Sequence, residues 1–445
     1  MSWWLQDLPG FRKVFLLAAS YFFYSTLDLR FLPLLILFPS VNWYLGLRID
    51  QATDKHRKKW MILAVVLNLS LLGTFKYFDF FSLYFSQWTG LHFPVLDLVL
   101  PLGISFYTFQ GISYVVDIYR KELSGKQSYL DVILLIAFFP HLVAGPIVRA
   151  KEFLPQLQKN VDPENIPVLG SSFLILGGLF KKIVIANELG INLVDPVWSH
   201  PSQYSSGTVW LAVYAYAVQI YCDFSAYSDM AIGFAGLLGY RFPENFQQPY
   251  RAQSIQDFWK RWHMSLSLWL RDYLYIPLGG NRGGEVKTIR NLFLTMLLGG
   301  LWHGAHWTFV FWGALHGLGL SFERIYRRWK KPCPCSQCHV TRTFFVFHFV
   351  AFAWIFFRSF DFSNAVEMMG SLFQGGSEVI GKPWHLILIA WGLGMHFFPW
   401  KSAWMEKFSW NRWPSYAYGF FLVLGLIVVS AFSPEGIAPF IYFRF

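Results

Sequence analysis

Charged residues are scarce in this sequence. Only 14% of its 445 residues are Asp, Glu, Lys or Arg, whereas 55% are hydrophobic. Soluble domains carry about 25% charged residues, so this composition excludes an ordinary soluble globular protein. Several apolar runs also reach the roughly 20 residues with which a helix crosses a bilayer. The sequence therefore predicts an all-α polytopic membrane protein.

Cysteines are few as well, and three of the four lie close together, at Cys333, Cys335 and Cys338. Four cysteines placed in this way exclude a disulfide framework. The segment CSQCH (335–339) matches the pattern of c-type haem attachment, but the basic residues beside it predict a cytoplasmic loop, which does not suit that chemistry. Zinc binding and lipidation are further alternatives for this segment, and a reduced, exposed loop is the favoured interpretation.

A signal-peptide cleavage site of the A-x-A type is not found near the N-terminus. Arg12 and Lys13 precede the first apolar run. We therefore predict that this run is retained as the first membrane span.

The net charge is nevertheless +11, and the positive residues are concentrated between apolar runs. Examples are DKHRKKW (54–60) and RIYRRWKK (324–331). Cytoplasmic loops of membrane proteins show this bias, and no long polar segment is present to form a nucleic-acid-binding surface. We predict a cytoplasmic N-terminus, an extracytoplasmic aromatic tail at 434–445, and no nucleic-acid partner.

The apolar pattern predicts a single membrane domain over residues 1–445, with no internal repeat. Predicted spans lie at 13–28, 31–48, 60–84, 97–118, 129–148, 166–186, 206–238, 291–323, 342–358, 384–399 and 414–432. Two prolines and a glycine interrupt the segment 138–153, where His141 also lies, so we expect a re-entrant or interfacial segment there.

An amphipathic helix is predicted at 254–276. Its apolar stripe comprises Trp259, Trp262, Leu266 and Trp269. Asp257 and Arg261 are spaced i,i+4, which allows an ion pair. A helix with aromatic and basic residues suits the headgroup boundary. His263 lies within it, and on spacing alone a structural role is favoured for this histidine.

The apolar stretch GGLWHGAHWTFVFWGALHG (299–317) contains His303, His306 and His316. Ionisable residues at membrane depth are rare and usually functional. We expect His303 and His306, three residues apart on one helix, to share a face, and His316 to point away from His303. A buried neutral imidazole can act as a general base for acyl transfer to a hydroxyl, although a purely structural role is equally open. No carboxylate or cysteine lies near enough to complete a metal site, so no metal is expected.

Two long motifs bear on the choice between a catalytic and a structural role for these histidines. The segments DFWKRWHMSLSLWLRDYLYIPLGGNR (257–282) and GLWHGAHWTFVFWGALHG (300–317) resemble the membrane-bound O-acyltransferase (MBOAT) family, in its bacterial branch for alginate O-acetylation and lipoteichoic D-alanyl transfer. Supporting stretches are LPLGISFYTFQGISYVVDIYR (100–120), FFPHLVAGPIVR (138–149) and YCDFSAYSDMAIGFAGLLGYRFPENFQQPYR (221–251). The resemblance covers most of the chain.

The resemblance implies a ring of about 11 transmembrane helices, with re-entrant or interfacial helices, around a central tunnel in the bacterial inner membrane. It implies that His303 deprotonates the acceptor hydroxyl, and that His263 orients the donor carbonyl or shares the proton. The donor would be cytoplasmic acetyl-CoA or another acyl thioester. Membrane lipids are expected to surround the helices. We expect the tunnel or substrate site to be lined by Trp302, Trp262, Asp223, Asn245, His141 and His306.

The terminal sequence PFIYFRF (439–445) resembles an aromatic motif of the same branch. It implies that Tyr442 accepts the acyl group and passes it to an extracytoplasmic acetyltransferase or polysaccharide; a simple aromatic anchor at the membrane interface is the equal alternative. Further alternatives are D-alanyl or lipid O-acyl transfer within the family, and a transporter or flippase without covalent chemistry.

Overall fold

The structure is a computed structural model that describes residue 5 and residues 7–329, 335–398 and 414–433. Within these residues the fold consists of helices and their connections, with a single isolated bridge between Tyr204 and Glu378. The chain divides into two compact units, Met1–Ser171 with Ala231–Pro243 and Ser172–Met230 with Glu244–Phe445. The single membrane domain stays a prediction.

The first unit contains eight helices within the described residues. They are α1 (Pro9–Asp28), α2 (Leu32–Gln51), α3 (Asp54–Leu72), α4 (Phe78–Thr89), α5 (Ile104–Tyr119), α6 (Tyr129–Ala137), α7 (Phe139–Leu142) and α8 (Ala150–Leu157). The core of this unit is formed mainly by apolar residues of α1–α3, α5, α6 and α8, including the fully buried Leu134 and Phe153. The predicted interruption at 138–153 is confirmed, because helix gives way to irregular chain between α7 and α8.

The remaining helices lie wholly or mostly in the second unit. They are α9 (Val168–Phe180), α10 (Asp195–Ser199), α11 (Ser206–Leu237), α12 (Ile255–Trp259), α13 (Met264–Leu270), α14 (Glu285–His303), α15 (Trp307–Trp329), α16 (Ser336–Arg358), α17 (Phe362–Ser371), α18 (Pro383–Gly394) and α19 (Ser415–Ala431). Cys335 and Cys338 lie at the start of α16, where the Cys338 amide donates to Cys335 Sγ. Cys333 lies outside the described residues.

Two of the predicted helices are each divided into two. The predicted amphipathic helix 254–276 is broken at Lys260–His263, between α12 and α13, although the ion pair between Arg261 Nε and Asp257 Oδ1 forms at 2.9 Å. The predicted span 291–323 is broken at Gly304–His306, between α14 and α15. One break places His263 directly before the start of α13, and the other leaves His303 as the last residue of α14.

Four helical stretches in the described part of the chain are long and apolar enough to cross a membrane. They are Pro9–Gln51, Asp54–Thr89, Val168–Ser199 and Gln337–Arg358. The shorter apolar helices Pro383–Gly394 and Tyr416–Ala431 follow. The all-helical membrane fold is therefore confirmed, whereas the number of about 11 spans and the tunnel stay predictions.

Candidate active site

The helical hairpin of α14 and α15 presents the candidate histidine His303. The two helices cross at Gly300 and Gly313, where an added Cβ would overlap main-chain carbonyl oxygens of the opposite helix. Glycine is needed here because only a hydrogen atom fits between the two backbones. This close approach brings the C-terminal end of α14 against Trp312 of α15.

His303 is the last residue of α14 and is only 5% exposed. Its ring lies among Trp302, Trp312 and Phe357, with ring centroids 5.0, 5.1 and 5.2 Å away, respectively. The C-terminal end of a helix stabilises a positive charge by about 0.3–1 kcal/mol, and the aromatic rings keep water away. This position suits a base that becomes an imidazolium while it accepts a proton.

His306 does not share a helix face with His303, so that prediction is wrong. The helix ends at His303, and Gly304 is extended, with φ −164° and ψ 152°. The imidazole of His306 instead begins the next helix: its Nδ1 accepts the main-chain N–H of Thr308 at 3.3 Å and lies 2.9 Å from the Thr308 hydroxyl. His306 thus satisfies a donor at the N-terminus of α15.

His316 was expected to point away from His303, but the hairpin places both imidazoles against Trp312. The His316 and Trp312 ring centroids are 4.8 Å apart. The indole N–H of Trp259 donates to His316 Nδ1 at 3.3 Å. Trp312 therefore lies between the two histidines, and α12 reaches this cluster through Trp259.

His263 and Asn245 form a second buried cluster. His263 is fully buried, directly precedes α13, and its Nδ1 lies 3.1 Å from Asn245 Oδ1. Its ring is 4.6 Å from Phe224 and 6.3 Å from Trp302, measured between centroids. Since Trp302 also touches His303, this indole lies between the two histidines that the sequence proposed as catalytic. The structure brings these three residues together.

Trp262 and Asp223 are also buried in the second unit. The Trp262 ring packs against Trp354 and Phe246, both at 5.0 Å between centroids. Asp223 Oδ1 forms an ion pair with Lys182 Nζ at 2.6 Å. The carboxylate is thus used in helix-to-helix pairing, and its predicted place in the tunnel lining stays a prediction.

His141 lies in the first unit, enclosed by Phe138, Phe153 and Phe242. Its Nε2 donates to the carbonyl of Leu135 at 2.9 Å. Tyr442, the proposed acyl relay, lies outside the described residues, as does the whole tail 434–445.

Sequence reasoning missed the adjacent lysines Lys181 and Lys182 and the buried histidine His396. Lys181 pairs with Asp229 at 2.6 Å, next to the Lys182–Asp223 pair. Two lysines inside the predicted span 166–186 were the available signal, because charges within a span need buried partners. His396 was also missed; it is fully buried between the rings of Tyr221 and Tyr250, at 4.3 and 4.8 Å.

A cavity of about 680 Å³ lies beside the histidine clusters. Its apolar wall includes Met264, which follows His263, and Met296, two turns before His303 on α14. Neither His263 nor His303 is among the residues that line it. Its volume is that of a pocket for a small molecule.

Basic side chains are concentrated in the lining of this cavity. They are Lys260, Arg271, Arg324, Arg327 and Arg328, against the two carboxylates Glu285 and Glu323. The carboxylates pair with some of these cations, as in Arg324–Glu285 at 2.6 Å and Arg327–Glu323 at 2.5 Å. The cavity therefore keeps a surplus of positive charge. Among the described residues, no group of three or more His, Cys, Asp or Glu side chains is arranged to hold a metal ion.

Fold and site together define a class of protein: an all-helical membrane protein with buried histidines and a basic cavity. Residues 62–362 match the model of the membrane-bound O-acyltransferase family, MBOAT. The chain belongs to this family and is an O-acyltransferase, which sets aside the transporter alternative.

Several relatives are similar over most of their length. The chain is 42% identical to the probable alginate O-acetylase AlgI of Pseudomonas syringae pv. tomato, over 82% of this chain and 71% of the relative. It is 36% identical to the corresponding Pseudomonas putida protein, over 98% and 95%. It is also 38% identical to the peptidoglycan O-acetyltransferase of Helicobacter pylori, over 81% and 73%.

Proposed function

We propose that this protein O-acetylates an exported cell-surface polysaccharide, with acetyl-CoA in the cytoplasm as the acyl donor. The names of its relatives, alginate O-acetylase and peptidoglycan O-acetyltransferase, support an acetyl group and a carbohydrate acceptor. The observation that carries the proposal is the basic cavity, whose wall includes Met264, next to His263, and Met296 on the helix that ends at His303. We place the protein in the bacterial inner membrane with its N-terminus in the cytoplasm.

The donor proposal rests on the chemistry of the cavity. Coenzyme A is a polyanion that carries a long, flexible thioester arm. Arginines bind phosphate through charge-assisted, bidentate hydrogen bonds, and Arg324, Arg327 and Arg328 lie together at the end of α15. Their segment, RIYRRWKK, is also the one that the charge pattern assigns to the cytoplasm. The apolar wall at Met264 and Met296 suits the thioester arm.

His303 acts as the general base in this proposal. Its imidazole removes the proton of the acceptor hydroxyl, and the oxygen attacks the thioester carbonyl. The C–S bond then breaks, and the leaving thiolate takes up the proton from the imidazolium. General base catalysis contributes about 10²–10⁴-fold to the rate. His263 assists at the same centre, and Trp302, which touches both imidazoles, lines it.

The acceptor side of the proposal includes a relay. The hydroxyl of Tyr442 receives the acetyl group first and passes it to an extracytoplasmic acetyltransferase or directly to the polysaccharide. Such a covalent intermediate divides one difficult transfer into two easier ones. The support for this step is the terminal motif PFIYFRF in the sequence.

The test uses purified protein in detergent with isotope-labelled acetyl-CoA. Free CoA thiol reports turnover, and mass spectrometry locates the label on the C-terminal peptide. The variants are His303→Ala and Tyr442→Phe. His348→Gln is the matched histidine control, because both of its ring nitrogens are satisfied within the protein, by Tyr214 and by the Phe344 carbonyl.

We expect label on Tyr442 in the wild type and in His348→Gln, and none in the other two variants. CoA release by the wild type without label on the C-terminal peptide would refute the relay and keep the enzyme. Turnover of a D-alanyl carrier-protein thioester but not of acetyl-CoA would refute the proposed donor. Undiminished CoA release by His303→Ala would refute the proposed base.

A further inference from the structure

We propose that Asn245 is a positioning residue that holds His263 in the neutral tautomer with hydrogen on Nδ1, so that Nε2 is a hydrogen-bond acceptor for the reacting groups. The inference rests on the proposed function of this site, because it assigns His263 one of two possible tasks there. The two residues are 18 positions apart and meet only in the folded chain.

The hydrogen bonds around Asn245 fix the orientation of its side-chain amide. The main-chain N–H of Ser265, which can only donate, lies 3.2 Å from Asn245 Oδ1. The Ser265 hydroxyl donates to the same oxygen at 2.8 Å, and Asn245 Nδ2 donates to the hydroxyl oxygen of Ser228 at 3.0 Å. The atom that faces His263 is therefore the oxygen of the amide, which has no hydrogen to give.

The orientation of Asn245 decides where the hydrogen of His263 lies. Oδ1 is an acceptor, so the His263 Nδ1 at 3.1 Å must be the donor. A neutral imidazole carries one hydrogen, which leaves Nε2 with a lone pair. This Nε2 is buried and has no hydrogen-bond partner among the described residues. A buried acceptor without a partner is unusual, and a bound reactant that donates to this nitrogen would satisfy it.

The main chain supports the same arrangement. His263 has left-handed backbone angles, φ 42° and ψ 55°, at the break between α12 and α13. The next amide, that of Met264, donates to the Asn245 carbonyl at 2.9 Å, and the amide of Gln247 donates to the Arg261 carbonyl at 2.9 Å. Asn245 thus binds both the backbone and the imidazole at the break, which is how a neighbouring residue orients a functional histidine.

This tautomer separates the two tasks considered for His263. With its lone pair free, Nε2 can accept a hydrogen bond or a proton from the hydroxyl group that is to be acylated, or from a protonated partner. It cannot donate to the carbonyl of the thioester unless the ring is first protonated. The structure therefore assigns His263 to proton transfer and not to orienting the carbonyl of the acyl donor.

The experiment compares Asn245→Leu, Asn245→Asp and Ser228→Ala with the wild type in detergent. Leucine is similar in size and removes the acceptor, whereas aspartate keeps an acceptor oxygen at the same place. Ser228→Ala is the matched control, because it removes the hydrogen bond on the other side of the amide and keeps Oδ1. Asn245→Ala is made as well, in case Asn245→Leu does not fold.

Two readouts are measured on each protein. ¹⁵N NMR of histidine-labelled protein reports which ring nitrogen carries the hydrogen, and the His263 signals are assigned by their loss in His263→Gln. Acetyl-CoA turnover gives kcat and KM. We expect the Nδ1–H form in the wild type, Asn245→Asp and Ser228→Ala, and its loss in Asn245→Leu with kcat lowered about 10–100-fold and KM nearly unchanged.

Other outcomes would overturn the inference. An Nε2–H signal in the wild type, or an unchanged tautomer in Asn245→Leu, would show that Asn245 does not set it. A changed tautomer with unchanged kcat would show that this nitrogen has no task in the reaction. Absence of thioester turnover in every protein would refute the proposed function instead, while the NMR signals would still report on Asn245.

Discussion

Gly299 and Gly300 are adjacent on α14, but Gly300 faces main-chain atoms of α15 and Gly299 faces a flexible side chain. Substitutions at the two positions therefore test how His303 is positioned. A Cβ added at Gly300 would overlap the carbonyl oxygen of Phe309 and approach the Cα of Gly313 to 3.0 Å. Both are main-chain atoms that cannot rotate away. A Cβ added at Gly299 would meet Leu270 Cδ1 at 3.2 Å, the end of a flexible side chain. Alanine substitution at the two positions is therefore a matched pair.

The expected magnitudes follow from this geometry. Alanine favours helix over glycine by about 1 kcal/mol at either position. At Gly300 this gain is opposed by overpacking, which costs about 1–3 kcal/mol, and the helices must separate. His303 is three residues further on, about 4.5 Å along the helix axis, so its imidazole moves with the crossing point. A displacement near 1 Å can cost about 100-fold in rate. We expect kcat to fall about 10–100-fold in Gly300→Ala and to stay near wild type in Gly299→Ala.

The assay is release of CoA thiol from acetyl-CoA by the purified variants in detergent. A thermal unfolding transition, recorded on the same preparations, shows that each variant is folded. Equal kcat values for the two variants would refute the reasoning, because the only difference between them is the atom that an added methyl group meets. A Gly300→Ala variant as active as the wild type would refute it as well.

Two further predictions concern the charges of the second unit. Asp223→Leu removes the carboxylate that faces the buried Lys182, and breaking a buried pair in this way costs about 3–5 kcal/mol. We expect Asp223→Leu to lower the thermal unfolding temperature and a second substitution, Lys182→Met, to restore most of the loss. An equally low unfolding temperature for the double variant would contradict this prediction. Arg327→Ala and Arg328→Ala should each raise the KM for acetyl-CoA about tenfold, because a hydrogen bond to a charged group contributes about 1.5–3 kcal/mol. Lys58→Ala, in the basic first turns of α3, is the control. An equal effect of Lys58→Ala would contradict donor binding in the cavity.

The sequence predicted much of the fold because the signals are local. Apolar runs of sufficient length form helices in a membrane, since each helix satisfies its own backbone hydrogen bonds. The i,i+4 pair of Asp257 and Arg261 and the break at 138–153 were predicted for the same reason, from spacing and from proline. Residue types also directed attention to His303 and His263 before any contact was known.

The helix break after His303 could not be predicted from local pattern. The segment around Gly304 keeps an apolar, helix-compatible composition, and glycine within such a run is tolerated in many helices. What ends α14 is the return of the chain as α15, packed against it at Gly300 and Gly313. As a result, His306 caps α15, and His316 meets the same indole as His303.

By itself, the sequence determined the membrane class and the family resemblance, and it singled out the histidines that are proposed for proton transfer, because composition and motif depend on residue type and short-range order. The tertiary structure decided which polar groups meet. Asn245 with His263 and Lys182 with Asp223 are pairs from different segments, and no periodicity relates them. Such contacts form only where packed helices bring buried donors and acceptors together, because a polar group inside an apolar protein must find a partner.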